Sequence, residues 1–226
     1  YKTEDNMSAQ DISTAALLLF AEKGYAYATG KEITEQAGVN SAAINYHFGG
    51  VHGLYLAVLT EAHNRVADLA IMEKVVSEDL SAVEKLIRLT ESVLKFILTP
   101  ANKNWELKLL GREILNPASN FYSSSCDTIT QKQQIIVNLI SEILHVQPSH
   151  PAVARCLFTI VSPIESLLAD TPAAFSYLKI GEFRDEDMDM DDTINHICSF
   201  IEGGLNTIAK NISIMECKSD YHDSFF

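Results

Sequence analysis

The sequence predicts an all-helical protein, and three observations lead to this fold class. Apolar residues recur at spacings of three and four, the period of a helix with one buried face. No segment alternates convincingly between apolar and polar residues, and no hairpin turn lies between two β-branched runs. Apolar residues make up 47% of the 226 residues. This share supports a core and excludes a disordered or collagen-like chain.

The apolar stripes divide the chain into a series of helices. The first stripe ends at Lys23 and Gly24, a cationic last turn followed by a helix stop. Pro163 interrupts the sixth stripe and is expected to kink that helix. The stripes, in chain order, are Ile12–Phe20, Leu54–Leu69, Val83–Ile97, Trp105–Ile114, Ile136–Leu144, Val153–Leu168 and Ile194–Ile212.

Charge and hydropathy restrict the partners and the compartment. The net charge of −13 argues against a generic binder of nucleic acid or of anionic membranes. The longest apolar run, Ala15–Ala21, is far shorter than the roughly 18–20 residues that cross a bilayer. No secretory signal is recognisable. We therefore expect a cytoplasmic protein that does not enter a membrane.

The sequence gives no support for a metal, a cofactor or a catalytic centre. His145 and His150 are five residues apart without nearby acids. The segment Gly24–Lys31 is one residue too long for a phosphate loop. The cysteines form no Cys-x-x-Cys pair: Cys126, Cys156, Cys198 and Cys217. We expect no metal, no cofactor and no enzymatic activity.

Residues 24–50 depart from the long-helix rhythm and predict short helices. Thr29 and Glu32 fit a capping box, in which the threonine side chain accepts from the backbone and the glutamate reaches back. The short apolar helix that follows stops at Gly38, a residue that adopts positive φ without strain.

A second short helix is predicted over about residues 41–47, with Asn40 or Ser41 as its N-cap. Two short helices joined by a turn that contains glycine make a helix-turn-helix. On the second helix Ala43 and Ile44 can face inward. The other side chains are left to point outward: Ser41, Ala42, Asn45, Tyr46 and His47.

Three runs of residues at fixed spacing lie across this segment: Ala16–Tyr25, Ile33–Asn40 and Ile44–Phe48. Together they resemble the N-terminal domain of TetR-family transcriptional regulators over about residues 10–60. The resemblance implies that the second helix enters the major groove, where base edges carry the sequence information. The implied groove residues are Ser41, Ala42, Ala43, Asn45, Tyr46 and His47. It also implies that Thr29 and Lys31 bind the DNA backbone.

Downstream, Trp105, Arg112–Pro117 and His196–Leu205 resemble the ligand-binding domain of the CecR-like branch of this family. The resemblance implies a helix-turn-helix DNA-binding domain over residues 1–53, connected by the helix from about residue 54. A ligand-binding and dimerisation domain is implied over residues 54–226. Together these expectations describe a homodimeric, ligand-responsive repressor. A small apolar or amphipathic effector would release it from a palindromic operator on double-stranded DNA.

Effector pockets are mostly apolar, with a few polar groups that orient the ligand. The candidate lining residues are Trp105, Leu109, Arg112, Glu113, Phe121, Cys156, Ile160, Glu165, His196 and Phe200. The structural alternative is that these residues belong to the core. Arg112 and Glu113 equally fit an ion pair that ties two helices together.

Two departures from the family pattern motivate a second hypothesis. The family usually carries a basic residue after Phe48, at the start of the next helix. Here Phe48 is followed by Gly49 and Gly50 and then by Val51, so that basic residue is absent. Residues 1–65 also carry three more acidic than basic side chains. The alternative function is a TetR-like fold retained as a ligand- or protein-binding module, with weak or lost DNA binding.

The site residues have structural alternatives as well. Tyr46 and His47 are otherwise partly buried against Phe48, and Lys31 is otherwise a solvated helix lysine. The segment Ile194–Ile212, with its paired glycines, is either a dimer helix or an ordinary core helix.

Overall fold

A computed structural model describes residues 2–99, 105–118, 127–169 and 189–223, with side chains between residues 8 and 215 of those ranges. The described ranges contain ten helices and no strand, which confirms the all-helical fold class. The candidate pocket residue Phe121 and the cysteine Cys126 lie outside the described residues. In order, the helices are α1 (Lys2–Lys23), α2 (Gly30–Ala37), α3 (Ala43–Phe48), α4 (Val51–Val66), α5 (Leu69–Ser77), α6 (Ala82–Leu98), α7 (Trp105–Leu115), α8 (Asp127–Leu144), α9 (Pro151–Leu168) and α10 (Met190–Asp223).

The stripe predicted over Leu54–Leu69 as one helix is two helices in the structure, so this prediction is wrong. Helix α4 ends at Val66, and Ala67 has extended backbone angles, φ −138° and ψ 92°. Helix α5 then starts its own stripe, in which Met72 and Val75 are buried. The apolar spacing continues through the break, and periodicity alone therefore could not reveal it.

The chain divides into two compact units, of which unit 1 comprises residues 1–68, 99–127 and 165–178. In unit 1, α1 contacts α2, α3, α4 and α7. Its core contains Phe20 and Tyr55, whose ring centroids are 5.0 Å apart in an edge-to-face arrangement. Leu54, Leu59 and Leu109 are fully buried around them. Burial of these aliphatic and aromatic surfaces supplies the main stabilisation of such a core.

Unit 2 comprises residues 69–98, 128–164 and 179–226. In it α6 packs against both α5 and α10. Leu86 and Leu94 on α6, together with Ile201 and Leu205 on α10, are buried. At the start of α10 the Asp189 carboxylate accepts a hydrogen bond from the Asp192 amide at 3.0 Å, and acidic side chains at a helix N-terminus are favoured by the helix dipole.

Helix α9 has an uncovered apolar side. Among the described residues, it is the one helix whose length and composition would allow it to cross a bilayer. Helices that pack in protein cores share this composition, and α9 also carries Arg155 and Glu165. Only 22% of the helix is buried. Phe158 is 74% exposed among the described residues.

Candidate nucleic-acid interface

The start of α2 is fixed by the predicted capping box. The Thr29 hydroxyl oxygen accepts a hydrogen bond from the Glu32 amide at 3.2 Å, and the Thr29 amide donates to Glu32 Oε2 at 3.1 Å. Lys23 Nζ at the end of α1 donates to Glu32 Oε1 at 2.8 Å. The Lys23 and Thr29 hydrogen bonds lower the pKa of Glu32 to about 2. This carboxylate therefore ties the end of α1 to the start of α2.

The turn after α2 closes as the sequence predicts. Gly38 adopts φ 68°, and its amide donates to the carbonyl oxygen of Glu35 at 3.3 Å. The Val39 amide donates to the carbonyl oxygen of Thr34 at 3.0 Å. These bonds satisfy carbonyl groups that the helix end leaves unpaired, which fixes the direction of the chain into α3.

Helix α3 begins later than predicted. Neither Asn40 nor Ser41 is its N-cap, because the helix starts at Ala43 and Ala42 is the cap residue without a side-chain bond. The Asn40 side-chain oxygen instead accepts from the Ala42 amide at 2.9 Å. This bond forms a local turn ahead of the helix, a use of asparagine that competes with capping.

The side chains of α3 divide clearly between core and solvent. Ile44 is buried, whereas Tyr46 is 75% exposed. The His47 ring is partly exposed, with its centroid 4.8 Å from that of Tyr46 and 6.2 Å from that of Phe48. The candidate groove residues Ser41, Ala42 and Asn45 are also exposed, and Ala43 is partly exposed. The exposure of Tyr46 rules out the alternative that its ring is buried against Phe48.

The junction of α3 and α4 contains a close backbone contact. A Cβ atom at Gly53 would lie 1.9 Å from the carbonyl oxygen of Phe48, a distance that no side chain tolerates. At Gly30, a Cβ atom would lie 3.0 Å from Cγ2 of Val51. Val51 therefore packs against the first residue of α2, at the position where the family usually carries a basic side chain. The sequence did not reveal the need for glycine at position 53. A glycine inside a helix ordinarily only weakens that helix, and no neighbouring residue marks the close backbone contact.

Few cations are available near this surface. Lys31 has a side chain that is 83% exposed, and its Nζ lies 3.7 Å from Glu35 Oε1 on the same helix. Segment 41–50 contains no lysine or arginine. Thr29 is exposed, with its hydroxyl engaged in the capping box. Neutral polar groups therefore dominate the exposed face of α3.

Helix α7 is bonded to the N-terminal helices through two adjacent residues. Arg112 Nε donates to the carbonyl oxygen of Ala21 at 3.1 Å, and Nη2 donates to that of Glu22 at 2.9 Å. A guanidinium at the last carbonyls of α1 also favours the helix dipole. Glu113 is 1% exposed, and its Oε2 accepts from the Tyr55 hydroxyl at 2.8 Å. Arg112 and Glu113 thus tie α7 to α1 and to α4, but through hydrogen bonds to backbone carbonyl oxygens and to a tyrosine hydroxyl and not through the ion pair considered in the sequence analysis.

We expect the Tyr55→Phe substitution to destabilise the protein by about 1–2 kcal/mol, because it removes a hydroxyl donor from a buried carboxylate. Urea unfolding followed by circular dichroism measures this loss. Tyr25→Phe is the matched control, since the Tyr25 ring lies 4.7 Å from that of Tyr55 in the same cluster. Equal stability of the two variants would contradict the role given to the Tyr55 hydroxyl.

A second buried carboxylate lies on the same helix and was missed by sequence analysis. Glu106 is 3% exposed, its Oε1 accepts from Arg65 Nη1 at 3.2 Å, and its Oε2 has no hydrogen-bond partner among the described residues. The Arg65 guanidinium also lies 5.4 Å from the centre of the Trp105 ring. The hydrogen bond to Glu61 is the main cause that raises the pKa of Arg65.

The candidate pocket residues fall in both units. In unit 1, Leu109 and Glu113 are buried, Trp105 and Glu165 are partly exposed, and Arg112 is bonded to α1 as described. In unit 2, Cys156 and Ile160 are buried, whereas His196 is exposed and Phe200 is 72% exposed. Their role in ligand binding stays a prediction.

Unit 2 has a groove of about 460 Å³ between α9 and α10. Of the candidate pocket residues, Cys156 lines this groove, together with Arg155, Ile208 and Met215. Burial raises the pKa of the Cys156 thiol, and it raises that of Cys198 to about 11. Both residues therefore behave as small apolar core residues and not as reactive thiols.

The fold and this exposed short helix define a helix-turn-helix protein, and comparison with protein families agrees. The family model of bacterial regulatory proteins, tetR family, matches residues 12–58. The model of the C-terminal domain of the HTH-type transcriptional dual regulator CecR matches residues 82–205. The chain belongs to the TetR family of DNA-binding transcriptional regulators and has a CecR-type C-terminal domain.

Curated relatives match through the N-terminal part. The HTH-type transcriptional repressor AcnR of Corynebacterium glutamicum is 40% identical over 72 residues, which are 32% of this chain and 35% of that protein. The AcnR of Corynebacterium diphtheriae is 38% identical over 67 residues, covering 30% of this chain and 35% of that protein. The matches thus span about a third of these relatives.

Solved structures share the fold over most of the chain. The regulator FadR from Bacillus subtilis, in complex with stearoyl-CoA, gives a TM-score of 0.64 at 16% identity and covers 86% of this chain and 98% of its own. A transcriptional regulator from Pseudomonas aeruginosa PAO1 gives 0.63 at 14% identity, covering 88% and 90%. At these identities the likeness shows the fold alone.

Proposed function

We propose that this chain is a cytoplasmic, ligand-responsive repressor that leaves a palindromic operator when a small apolar or amphipathic effector binds. Residues 1–53 act as its DNA-binding domain, and residues 54–226 bind the effector and form the dimer. The observation that carries the proposal is the exposed face of α3, held between the capped start of α2 and the Gly53 contact with α4. The matched AcnR relatives are named as repressors, which supports repression as the proposed effect on transcription.

The exposure of α3 supports the proposed contacts with the major groove. Ser41, Ala42, Asn45 and Tyr46 are exposed, with Ala43 and His47 partly so. Such side chains reach base edges and phosphates when a short helix enters the major groove. Thr29 and Lys31, both exposed at the start of α2, are the proposed contacts with the DNA backbone.

A homodimer would present two such helices to one operator. Helix α10 supports this state, because an exposed face beside its buried residues carries no lysine, arginine or acidic residue at the positions that share that face. Those positions are His196, Phe200, Gly204, Thr207 and Asn211. Phe200 is 72% exposed, and a Cβ atom at Gly204 would meet no neighbour within 4 Å. A two-fold interface buries such a self-complementary face and spaces the recognition helices about one DNA turn apart.

Effector control requires that the ligand bind two states of the protein with different affinity. Helix α7 is a suitable element, because its residues Arg112 and Glu113 are bonded directly to α1 and α4. A ligand that displaces α7 would act on the helices that support α3. The stearoyl-CoA bound by the Bacillus subtilis structure is an example of an amphipathic ligand in this fold.

Selection of genomic fragments with the purified full-length chain, followed by gel-shift titration, tests the proposal. We expect discrete fragments with near-palindromic sites and a shallow salt dependence. With one exposed lysine per helix-turn-helix, the slope of log K against log salt is expected to be about −2 for a dimer. If no fragment is retained at low salt, the regulator function fails. The alternative of a ligand- or protein-binding module then stands, as the acidic N-terminal balance would suggest.

A further inference from the structure

We propose that α3 reads A·T base pairs, with Asn45 recognising adenine and Ala42 contacting the thymine methyl group. This inference rests on the proposed function and specifies the DNA sequence that the site selects. Helix α3 and the residues next to it contain no arginine or lysine between residues 41 and 50. Bidentate bonds from those two side chains are the commonest means of recognising guanine in the major groove. The exposed face of α3 therefore lacks the usual guanine readers.

Asn45 has the chemistry that adenine requires. Its side chain is exposed, and within the described residues its amide makes no hydrogen bond. The amide presents one acceptor and two donors, which match the N6 amino group and the N7 acceptor of adenine as a bidentate pair. The Asn45 carbonyl oxygen accepts from the Gly49 amide at 3.1 Å, so its backbone is fixed in the last turn of α3.

The other asparagine of the motif is already engaged. Asn40 Oδ1 accepts from the Ala42 amide at 2.9 Å and lies 3.5 Å from the Ser41 hydroxyl oxygen. This side chain forms the turn that precedes α3, so it is not offered to a base edge. Of the two asparagines, Asn45 is therefore the one available for readout.

The neighbouring exposed positions extend the same preference. Ala42 lies three residues before Asn45 and four before Tyr46, so the three side chains share one face of the short helix. A small apolar side chain such as alanine contacts the C5-methyl group of thymine, which distinguishes thymine from cytosine. A methyl group beside an amide thus matches the two bases of an A·T pair or of adjacent A·T pairs.

The experiment uses the full-length chain and modified DNA. A random-sequence duplex library is first selected at low salt to obtain a consensus half-site, which we expect to contain A·T pairs. The consensus duplex is then prepared with 7-deazaadenine, which removes the N7 acceptor, or with uracil, which removes the thymine methyl group. We expect each modification at the contacted positions to weaken binding by the unmodified protein about fivefold.

Asn45→Ala separates readout from general affinity. This variant is expected to bind the consensus about tenfold more weakly and to lose its sensitivity to 7-deazaadenine. Asn195→Ala is the matched control, an exposed asparagine of α10 outside the helix-turn-helix, and should respond to the modified duplexes like the unmodified protein. If Asn45→Ala does not fold, the response of the unmodified protein to the two modified duplexes decides the outcome.

The outcomes distinguish this inference from the proposed function. Enrichment of G·C half-sites overturns the inference while leaving DNA binding intact. The inference is also overturned if 7-deazaadenine does not weaken binding by the unmodified protein. It is overturned likewise if 7-deazaadenine weakens binding by Asn45→Ala as much as it weakens binding by the unmodified protein. If no duplex is enriched at any salt concentration, the proposed function fails and this inference fails with it.

Discussion

The Gly53→Ala substitution is expected to destabilise the protein by about 3 kcal/mol or more and to abolish operator binding. The added Cβ atom would lie 1.9 Å from the carbonyl oxygen of Phe48 and 3.1 Å from its carbonyl carbon. Both atoms are backbone, so relief requires a displacement of α3 or α4. Overpacking of this kind costs about 1–3 kcal/mol where side chains can adjust, and more where they cannot.

Urea unfolding and gel-shift titration of the same preparation measure the two effects of Gly53→Ala. The control is Gly49→Ala, at the end of α3. There an added Cβ atom would meet nothing within 4 Å, but φ is 70°. Only the strain of a left-handed residue, about 1 kcal/mol, is expected at that position. A Gly53→Ala protein as stable as the Gly49→Ala protein would contradict the close contact.

The Phe200→Glu substitution is expected to yield a folded monomer whose operator affinity falls at least about 100-fold. Phe200 is 72% exposed in the protomer, so folding of one chain does not depend on its burial. In a two-fold interface the substitution places a carboxylate on each side, and burying unpaired charge is unfavourable. The monomer contacts only one half-site of the operator. It therefore loses the gain in effective concentration that a dimer provides for the second half-site.

Sedimentation equilibrium gives the oligomeric state for this test, and circular dichroism confirms that Phe200→Glu is folded. Ser199→Glu introduces the same charge at the neighbouring exposed position, on a different side of α10. It should remain dimeric with nearly unchanged DNA binding. A dimeric Phe200→Glu protein with full affinity would exclude this face of α10 from the interface.

The sequence was informative at the capped start and the glycine end of α2, although it placed the start of α3 too early. The capping box at Thr29 and the positive φ of Gly38 are confirmed, because each depends on residues within one turn of the chain. The resemblance to the TetR family is confirmed by family models over both parts of the chain. Local signals and fixed motif spacing were therefore sufficient for the fold class and for the helix-turn-helix.

Several features that the sequence did not reveal have no local signal in it. The helix break at Ala67 does not interrupt the apolar spacing, so periodicity continues across it. Glu106 belongs to a polar residue type that is seldom buried, and only its place on α7 shows that it is. Likewise, the need for glycine at position 53 comes from a carbonyl oxygen on the preceding helix.

The contact between Arg112 and the end of α1 restricts how the N-terminal part of unit 1 can rearrange. A guanidinium is planar, so two of its N–H groups can bind two consecutive carbonyl oxygens only in one orientation. A movement of α7 that exceeds the reach of the Arg112 side chain would therefore break both bonds to Ala21 and Glu22 together. Within that reach, Arg112 couples the position of α7 to the last turn of α1, the helix that contacts both α2 and α3.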